Sequence, residues 1–364
     1  MSRLNVARQR LYNQHIAGAT FEKPGDVVRW LGAVQAQDYL GSLWAIGLRT
    51  HHATGRDIEQ ALADRTIIRT WPMRGTLHIV SAADVRWMLE LLTPRVVAGS
   101  ARRLQQQFDL DKVVLARSRK VLVRALQGSR QLSRDAMYQA LEAAHISAAG
   151  GRGLHIVGRL AQEGVICFGA REGRQQTFVL LDEWAPNAPS MARDEALAEL
   201  TRRYFTSHGP ATVKDFAWWS GLAAADALAG IDMVKPHLAQ EVMDGQTFWF
   251  SSSMSAVQGP SRKAYLLPAY DEYTVAYTDR SAVLDPSYAK RADSGHGISA
   301  TMILNGQVVG TWKRTLKKGS VVITPNPFTR LKQAEQRAFA VAACQYGAFL
   351  GLPAELSKTN EQAK

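Results

Sequence analysis

The segment "LSRDAMYQALEAA" (132–144), followed by "GGRGLHIVGRLAQEG" (150–164), decides the fold that this sequence predicts. Both stretches have helical patterns, and Ser133 stands where a side chain would cap the first helix. The next residues, "VICFGA" (165–170) and "TFVLLDEW" (177–184), are apolar and β-branched, and a charged turn separates them. Two helices followed by a pair of strands are typical of a winged helix-turn-helix module.

The same order of elements recurs on both sides of this segment. Upstream, the helical pattern of "KPGDVVRWLGAVQ" (23–35) precedes a strand pair in "TIIRTWPMRGTLHIV" (66–80). Downstream, "TVKDFAWWSG" (212–221) begins with a capping pair, and two later strands meet at Asp244-Gly245, a strong hairpin signal. We therefore predict three modules of one kind in tandem.

The last third of the chain changes character. Strands are predicted in "KAYLLPAYDEYTVAYTDR" (263–280) and across 299–325, and a closing helix is predicted over Arg330 to Leu352. The predicted fold class is α+β, with three tandem winged helix-turn-helix modules, a β-rich C-terminal region and a closing helix. The predicted divisions are 1–82, winged helix 1 with the glutamine segment described below; 83–188, a helical linker and winged helix 2; 189–260, winged helix 3; 261–352, a β-rich region with a basic hairpin and the closing helix; and 353–364, a disordered tail.

Composition restricts the class of protein and its location. With 364 residues, 46% of them hydrophobic, the chain can bury a large core in two or three domains. Cys167 and Cys344 are far apart, which argues against a disulfide framework and fits a reducing compartment. The start of the chain is charged, and no apolar stretch is long enough to span a bilayer. We expect a cytoplasmic protein without a membrane partner.

The net charge points to a polyanionic partner. The 44 Lys and Arg residues against 32 Asp and Glu leave +12, and the isoelectric point is about 9.8. Nucleic acid is favoured over a membrane, since no basic amphipathic helix has a lipid-seeking face. A basic protein with no polyanionic partner is the alternative.

Most standard catalytic motifs are missing from the sequence. "GGRGLH" has no preceding strand and no following Gly-Lys-Ser/Thr, which argues against a phosphate-binding loop. The nine histidines include no His-x-x-x-His and none beside a cysteine pair, and there is no Gly-x-Ser-x-Gly. We therefore predict neither a metal nor a cofactor, and look for polar residues in apolar surroundings.

Gln35 and Gln37, in "WLGAVQAQDYLG" (30–41), are such residues. Residues two apart on a helix point about 200° away from each other, so the two amides could not converge there. An extended segment would let them face the same way. The alternative is that both amides satisfy backbone groups at a helix end.

Four motifs in this order resemble the winged-helix DNA glycosylases of the AlkZ type. They are "LGAVQAQD", "LWAIGLR", "TWPMRGTLHIV" and "PAYDEYTVAYTDR", and the resemblance covers nearly the whole chain. In that family a Gln-x-Gln signature carries catalysis, and Gln35 and Gln37 match it. The related AlkX branch has an aspartate at the second position. The residue between the glutamines is usually a larger apolar one, so Ala36 departs slightly from the pattern.

The resemblance implies three tandem winged helices and a monofunctional DNA glycosylase that needs no cofactor. A purine alkylated at N7 or N3 is cationic and already a good leaving group, so the main task is to place a water. A carboxamide can orient that water, although it cannot take its proton. The expected partner is double-stranded DNA carrying alkylated purines, including interstrand crosslinks, bound by a monomer. The alternative from another class is a non-catalytic winged-helix regulator.

Further residues are candidates for the site and for DNA contact. Asp38 would act as a base or stabilise a cationic sugar, or else cap the next helix turn. His78 would line the pocket, or else be a satisfied core histidine. Asp271 and Glu272 are adjacent acids in a predicted strand, and at most one of them should reach the site, because adjacent residues of a strand face opposite ways. Asp271 is taken as the candidate.

A hairpin engages DNA in the family, and the best match here is the basic hairpin of the tail. Its basic residues could instead be a solvated strand edge. The predicted DNA-binding residues, including two on the first wing, are Arg69, Arg74, Lys313, Arg314, Lys317 and Lys318.

Overall fold

The computed structural model describes residues 2–257, 259, 263–295 and 297–357. Within these residues the α-helices are α1 Arg3–Asn13, α2 Pro24–Leu31, α3 Tyr39–Gly47, α4 Gly55–Ala63, α5 Val85–Phe108, α6 Lys112–Leu126, α7 Arg134–Ala143, α8 Arg152–Gln162, α9 Leu181–Trp184, α10 Arg193–Ser207, α11 Val213–Ser220, α12 Ala224–Val234, α13 Glu272–Val275, α14 Ala289–Ala292 and α15 Gln333–Leu350. The strands are β1 Ala33–Gln35, β2 Ile67–Met73, β3 Thr76–Ser81, β4 Leu132–Ser133, β5 Ile166–Phe168, β6 Thr177–Leu180, β7 Leu238–Met243, β8 Gln246–Ser251, β9 Ala264–Leu267, β10 Thr301–Leu304, β11 Gln307–Leu316, β12 Val321–Pro327 and β13 Ala354–Leu356. The prediction of a mixed helix-and-strand protein is confirmed.

The chain divides into two compact units. The first contains the described residues of Met1–Ile58, Ala198–Trp219 and Ala223–Lys364. The second contains Glu59–Leu197 and Ser220–Leu222. None of the helices in the described ranges is both long and apolar enough to cross a membrane.

The second unit contains the segment that led the sequence prediction. Helices α7 and α8 are followed by the antiparallel strands β5 and β6, with β4 on the other side of β6. Ser133 caps α7, because its hydroxyl oxygen accepts a hydrogen bond from the Ala136 N–H at 3.2 Å. The apolar faces of these helices and strands share one core, in which Leu141, Ile156 and Phe178 are buried. The predicted order of two helices and a strand pair is therefore confirmed for this segment.

The hairpin of β2 and β3, also in the second unit, turns at Arg74 and Gly75 as predicted. Both residues have positive φ, 52° and 72°, which suits the tight reversal between antiparallel strands.

In the first unit, β9 to β13 form one sheet in the order β13-β12-β11-β10-β9. The closing helix α15 packs on this sheet, and Phe339, Ala343 and Tyr346 lie buried along one of its faces, as predicted. The chain turns at Asn305 between β10 and β11, and at 317–320 between β11 and β12. In the same unit, β7 and β8 meet at the predicted Asp244-Gly245 turn.

Two parts of the predicted tail were wrong. The strand expected over 263–280 ends at Leu267, because Asp271 accepts a hydrogen bond from the Tyr273 N–H at 2.9 Å and starts helix α13. The tail predicted to be disordered from residue 353 contains strand β13, which pairs in parallel with β12. Residues 358–364 lie outside the described residues.

Candidate active site

The two glutamines lie where strand β1 passes into helix α3. Gln35 is the last residue of the strand, and Asp38 stands just before the helix in an extended conformation. Gln35 Nε2 donates a hydrogen bond to Gln37 Oε1 at 2.5 Å. The two amides therefore converge, as an extended backbone allows and a helix does not. The backbone of Gln35 lies in a strand and not at a helix end.

The pair is buried at one end and open at the other. Gln35 is 8% exposed, whereas Gln37 is exposed, and the intervening Ala36 is completely buried. Gln37 thus reaches solvent, while Gln35 and Ala36 lie inside the unit.

A buried acid, Glu272, holds the backbone of this segment. Its Oε1 accepts a hydrogen bond from the Gln35 N–H at 2.9 Å, and its Oε2 accepts one from Trp219 Nε1 at 2.8 Å. The carboxylate is 1% exposed. The carboxyl group of Glu272 therefore connects the backbone of the glutamine segment to the Trp219 indole.

His208 lies next to Glu272, and its Nε2 is 3.6 Å from Glu272 Oε2. Complete burial lowers the pKa of His208, and the positive charges of Arg49 and Arg10 act in the same direction, while Glu272 opposes them. Burial thus favours the neutral form of this imidazole.

The neighbouring acid, Asp271, is fully buried and bound elsewhere. Arg49 donates to both of its oxygens, at 2.9 and 2.8 Å, and also to the carbonyl oxygens of Gln14 and Ala45. Asp271 thus neutralises Arg49 and starts α13, whereas the acid that contacts the glutamine segment is Glu272. The expectation that one acid of the pair would reach the segment had the wrong basis, because the two residues begin a helix.

Asp38 makes an ion pair rather than a helix cap. Its side chain makes no capping hydrogen bond to α3, while Arg314 Nη2 donates to its two oxygens at 2.9 and 3.0 Å. Both side chains are partly exposed. Gly41 leaves room for this carboxylate, since a Cβ atom there would stand 2.6 Å from Asp38 Oδ2.

Comparison with known proteins identifies the family. Residues 28–349 match the model of the family described as DNA glycosylase AlkZ-like. The chain belongs to this AlkZ-like family. It is therefore a DNA glycosylase, and DNA is the polymer on which it acts.

Two relatives show how far the likeness extends. The interstrand DNA cross-link repair glycosylase of Streptomyces sahachiroi is 26% identical over 377 aligned positions, covering 92% of this chain and 94% of that protein. The solved structure of the Streptomyces sahachiroi DNA glycosylase AlkZ matches with a TM-score of 0.82 at 22% identity, covering 98% of this chain and 100% of that one. At this identity the structural match shows that the fold is shared.

The tail hairpin of this AlkZ-like glycosylase, strands β11 and β12, carries exposed charge. Lys313, Lys317 and Lys318 are all exposed, and Lys317 lies 3.7 Å from Glu355 at the surface. Arg314 differs from them, because its guanidinium is held by Asp38.

The candidates on the β2–β3 hairpin lie in the second unit and are mostly buried. Arg69, predicted to contact DNA, is 6% exposed, lies 4.5 Å from the centre of the Phe168 ring and donates to Gln176. These contacts hold its guanidinium inside the unit, which does not favour the predicted contact with DNA. His78 is completely buried, with Nδ1 at 3.0 Å from the Thr76 carbonyl oxygen, which fits a core histidine rather than a pocket residue. Arg74 lies half-buried in the turn.

Sequence reasoning did not predict the contact of Glu272 with the Gln35 backbone, nor the network of Trp219, His208 and Arg49 around the two acids. A signal was present, since Asp271 and Glu272 are ionisable residues in an apolar run. The signal was not used, because both acids were assigned to a predicted strand.

Proposed function

We propose that this glycosylase repairs DNA by hydrolysing the N-glycosidic bond of purines alkylated at N7 or N3, including purines in interstrand crosslinks. The single observation that carries the proposal is the contact between Gln35 and Gln37 at the end of β1. The name of the Streptomyces sahachiroi relative supports the crosslink substrate. Family membership disfavours the alternative of a non-catalytic regulator.

In this proposal Gln37 holds the water and Gln35 holds Gln37. A carbonyl oxygen has two lone pairs, so Gln37 Oε1 can accept from Gln35 and still accept from a water. The exposed position of Gln37 supports its contact with substrate, and the buried position of Gln35 supports an orienting role. A cationic purine leaves without strong acid assistance, so a fixed water is the main requirement.

The remaining parts of the proposal concern DNA binding and organisation. We propose that Lys313, Lys317 and Lys318 contact DNA phosphates, because they are exposed on the hairpin β11–β12. Arg74, in the turn of the hairpin β2–β3, would also contact a phosphate. Three tandem winged modules, divided as predicted from the sequence, are supported by the hairpins β2–β3, β5–β6 and β7–β8, each of which follows helices. The protein would act as a monomer in the cytoplasm, on the nucleoid while bound to DNA.

The experiment is excision from duplex DNA carrying 7-methylguanine, read as strand breaks after alkali treatment under single-turnover conditions. We expect Gln37→Ala to slow excision by roughly 10²–10³, the usual cost of one positioned polar group in an active site, and Gln35→Ala to slow it less. Gln106→Ala is the matched control, because Gln106 is exposed on α5.

If Gln35→Ala and Gln37→Ala both excised the base as fast as wild type and Gln106→Ala, the proposed role of the glutamines would be contradicted. A wild type that excises no alkylated purine would contradict the substrate.

A further inference from the structure

The positive charge of the chain is concentrated in one part of the second unit. Residues 95–134 contain ten Lys and Arg residues against two acids, whereas the whole chain has 44 against 32. This stretch covers the second half of α5, all of α6 and the first residue of α7. It supplies most of the net charge of +12, yet it contains none of the residues that the sequence predicted to contact DNA.

Helix α6 carries the densest part of this charge. Its sequence, "KVVLARSRKVLVRAL" (112–126), contains five basic residues and no acid. Arg117, Lys120 and Arg124 follow one another at positions i, i+3 and i+7, which places them along one side of the helix, and all three are exposed. These three residues form the basic face of α6.

The opposite side of α6 is fixed in the core of the unit. Leu122 and Leu126 are completely buried there, and the helix packs on α7, α8 and β6. Asp111 caps the first turn, because its side chain accepts a hydrogen bond from the Val114 N–H at 2.8 Å. The basic face therefore stands on a helix that is held both at its start and along its buried side.

The basic face lacks the acids that accompany an arginine on a neighbouring helix. At the end of α8, Arg159 contacts Glu163 at 2.7 Å, and Arg119 of α6 lies 4.0 Å from the same acid. Within the residues that the structure describes, no ion pair joins the basic face to an acid, and Arg117 donates a hydrogen bond to the Ala144 carbonyl oxygen at 3.4 Å. Like charges at this spacing repel one another and destabilise a helix, so the arrangement favours an external anion.

The length of the basic face suits the backbone of duplex DNA. With a rise of about 1.5 Å per residue, Arg117 and Arg124 are about 10 Å apart along the helix axis. The phosphates of one DNA strand recur about every 3.4 Å along the duplex axis, so the face spans about three of them. Arginine and lysine bind phosphates in this way without reading the base sequence.

We propose that the basic face of α6 binds the phosphate backbone of undamaged duplex DNA, as a second DNA-binding surface in addition to the hairpin β11–β12. The family match makes DNA the polymer on which the chain acts, so duplex DNA is the polyanion that this charge complements. The inference does not depend on the chemistry of the glutamines, because undamaged DNA carries no alkylated purine.

The test measures the affinity of the full chain for an undamaged DNA duplex by fluorescence anisotropy, between about 50 and 200 mM salt. We expect the combination of Arg117→Gln, Lys120→Gln and Arg124→Gln to weaken binding at least about tenfold at the lowest salt. The slope of log affinity against log salt should fall by up to about 0.9 for each phosphate contact that is lost.

Two controls separate the position of the charge from its amount. The combination of Arg117→Lys, Lys120→Arg and Arg124→Lys keeps every charge in place and should bind almost as tightly as wild type. The second control removes the same number of charges from the first unit, by replacing with Gln the exposed residues Lys290, Arg330 and Arg337. It should change the slope less than the variant of α6.

A thermal melt without DNA shows whether the charges serve the fold. Gln forms helices about as well as Arg and Lys, and its introduction removes repulsion between like charges. The melting temperature of the Gln variant at low salt should therefore be at least that of wild type. A lower value would assign the three residues to stability and would contradict the proposal.

The independence of the two surfaces can be measured in the same experiment. When the Gln variant of α6 is combined with replacement of Lys313, Lys317 and Lys318 by Gln, the two reductions in slope should add, because separate surfaces contact separate phosphates.

An unchanged slope in the folded Gln variant of α6 would overturn the inference, and so would an equal loss of affinity in either control. Failure of the proposed function gives a different result. In that case Gln35→Ala and Gln37→Ala would excise as fast as wild type, while the salt dependence of binding to undamaged DNA would still report on α6.

Discussion

The glutamine segment and the tail hairpin β11–β12 differ in how they are held. The glutamine segment is fixed by hydrogen bonds to buried groups, and Gln35 itself is almost completely buried. The hairpin carries exposed lysines that reach solvent on flexible side chains. In the glutamine segment, individual hydrogen bonds fix the positions of the side chains. In the hairpin, the total positive charge sets the attraction to DNA. Substitutions should therefore act on the reaction or the fold in one region and on DNA affinity in the other.

The largest effect is expected beneath the glutamine segment, at the buried pair of Arg49 and Asp271. Asp271→Asn leaves the guanidinium buried with no opposite charge, which should lower the free energy of unfolding by about 3 kcal/mol. Urea denaturation measures the loss. Asp182→Asn is the matched control, because Asp182 forms an exposed pair with Arg86 and should change stability by less than about 1 kcal/mol. Equal losses in the two variants would contradict the expected difference between a buried and an exposed ion pair.

A smaller effect, on affinity alone, is expected in the hairpin. Replacing Lys313, Lys317 and Lys318 with Gln should reduce the slope of log affinity against log salt by up to about 0.9 for each lysine that contacts a phosphate. Excision at saturating enzyme should stay within about twofold of wild type, because no reacting group is removed. The control replaces three other exposed basic residues of the same unit, Lys290, Arg330 and Arg337. A large loss of rate at saturation would show that the hairpin takes part in the reaction.

The smallest effect is expected where the two regions meet, at the ion pair of Asp38 and Arg314. The pair is partly exposed, so Asp38→Asn should cost at most about 1 kcal/mol of stability. It also releases Arg314 for a phosphate, which should raise DNA affinity by about twofold to threefold at low salt. Salt-dependent binding and single-turnover excision measure the two consequences. A fall of excision by more than about 100-fold would instead make Asp38 a base or a stabiliser of the cationic sugar.

Local features were predictable from the sequence. The cap at Ser133 and the turn at Asp244-Gly245 each depend on a few adjacent residues, and both were predicted correctly. Geometry over three residues showed only that the amides of Gln35 and Gln37 can converge on an extended backbone, and the structure has them in contact. The resemblance to AlkZ-type glycosylases predicted the family, which the family match confirms.

Contacts between distant residues were not predictable in this way. The charge pattern could not show that Arg69 is buried against Phe168, or that Arg314 is paired with a residue 276 positions away. The periodicity of 263–280 favoured a strand because its aromatic and β-branched residues suit one. The helix formed there because Asp271 caps it and Arg49 neutralises the acid, and both effects depend on the folded unit.

The separation in sequence between the glutamine segment and its supports has a consequence for synthesis of the protein. Gln35 and Asp38 leave the ribosome early, whereas Glu272 and Arg314 follow 237 and 276 residues after their respective partners. Contacts that close such long loops form late in folding. A nascent chain that already carries both glutamines therefore lacks the groups that fix them, and competence to cut a glycosidic bond should arrive only near the end of translation.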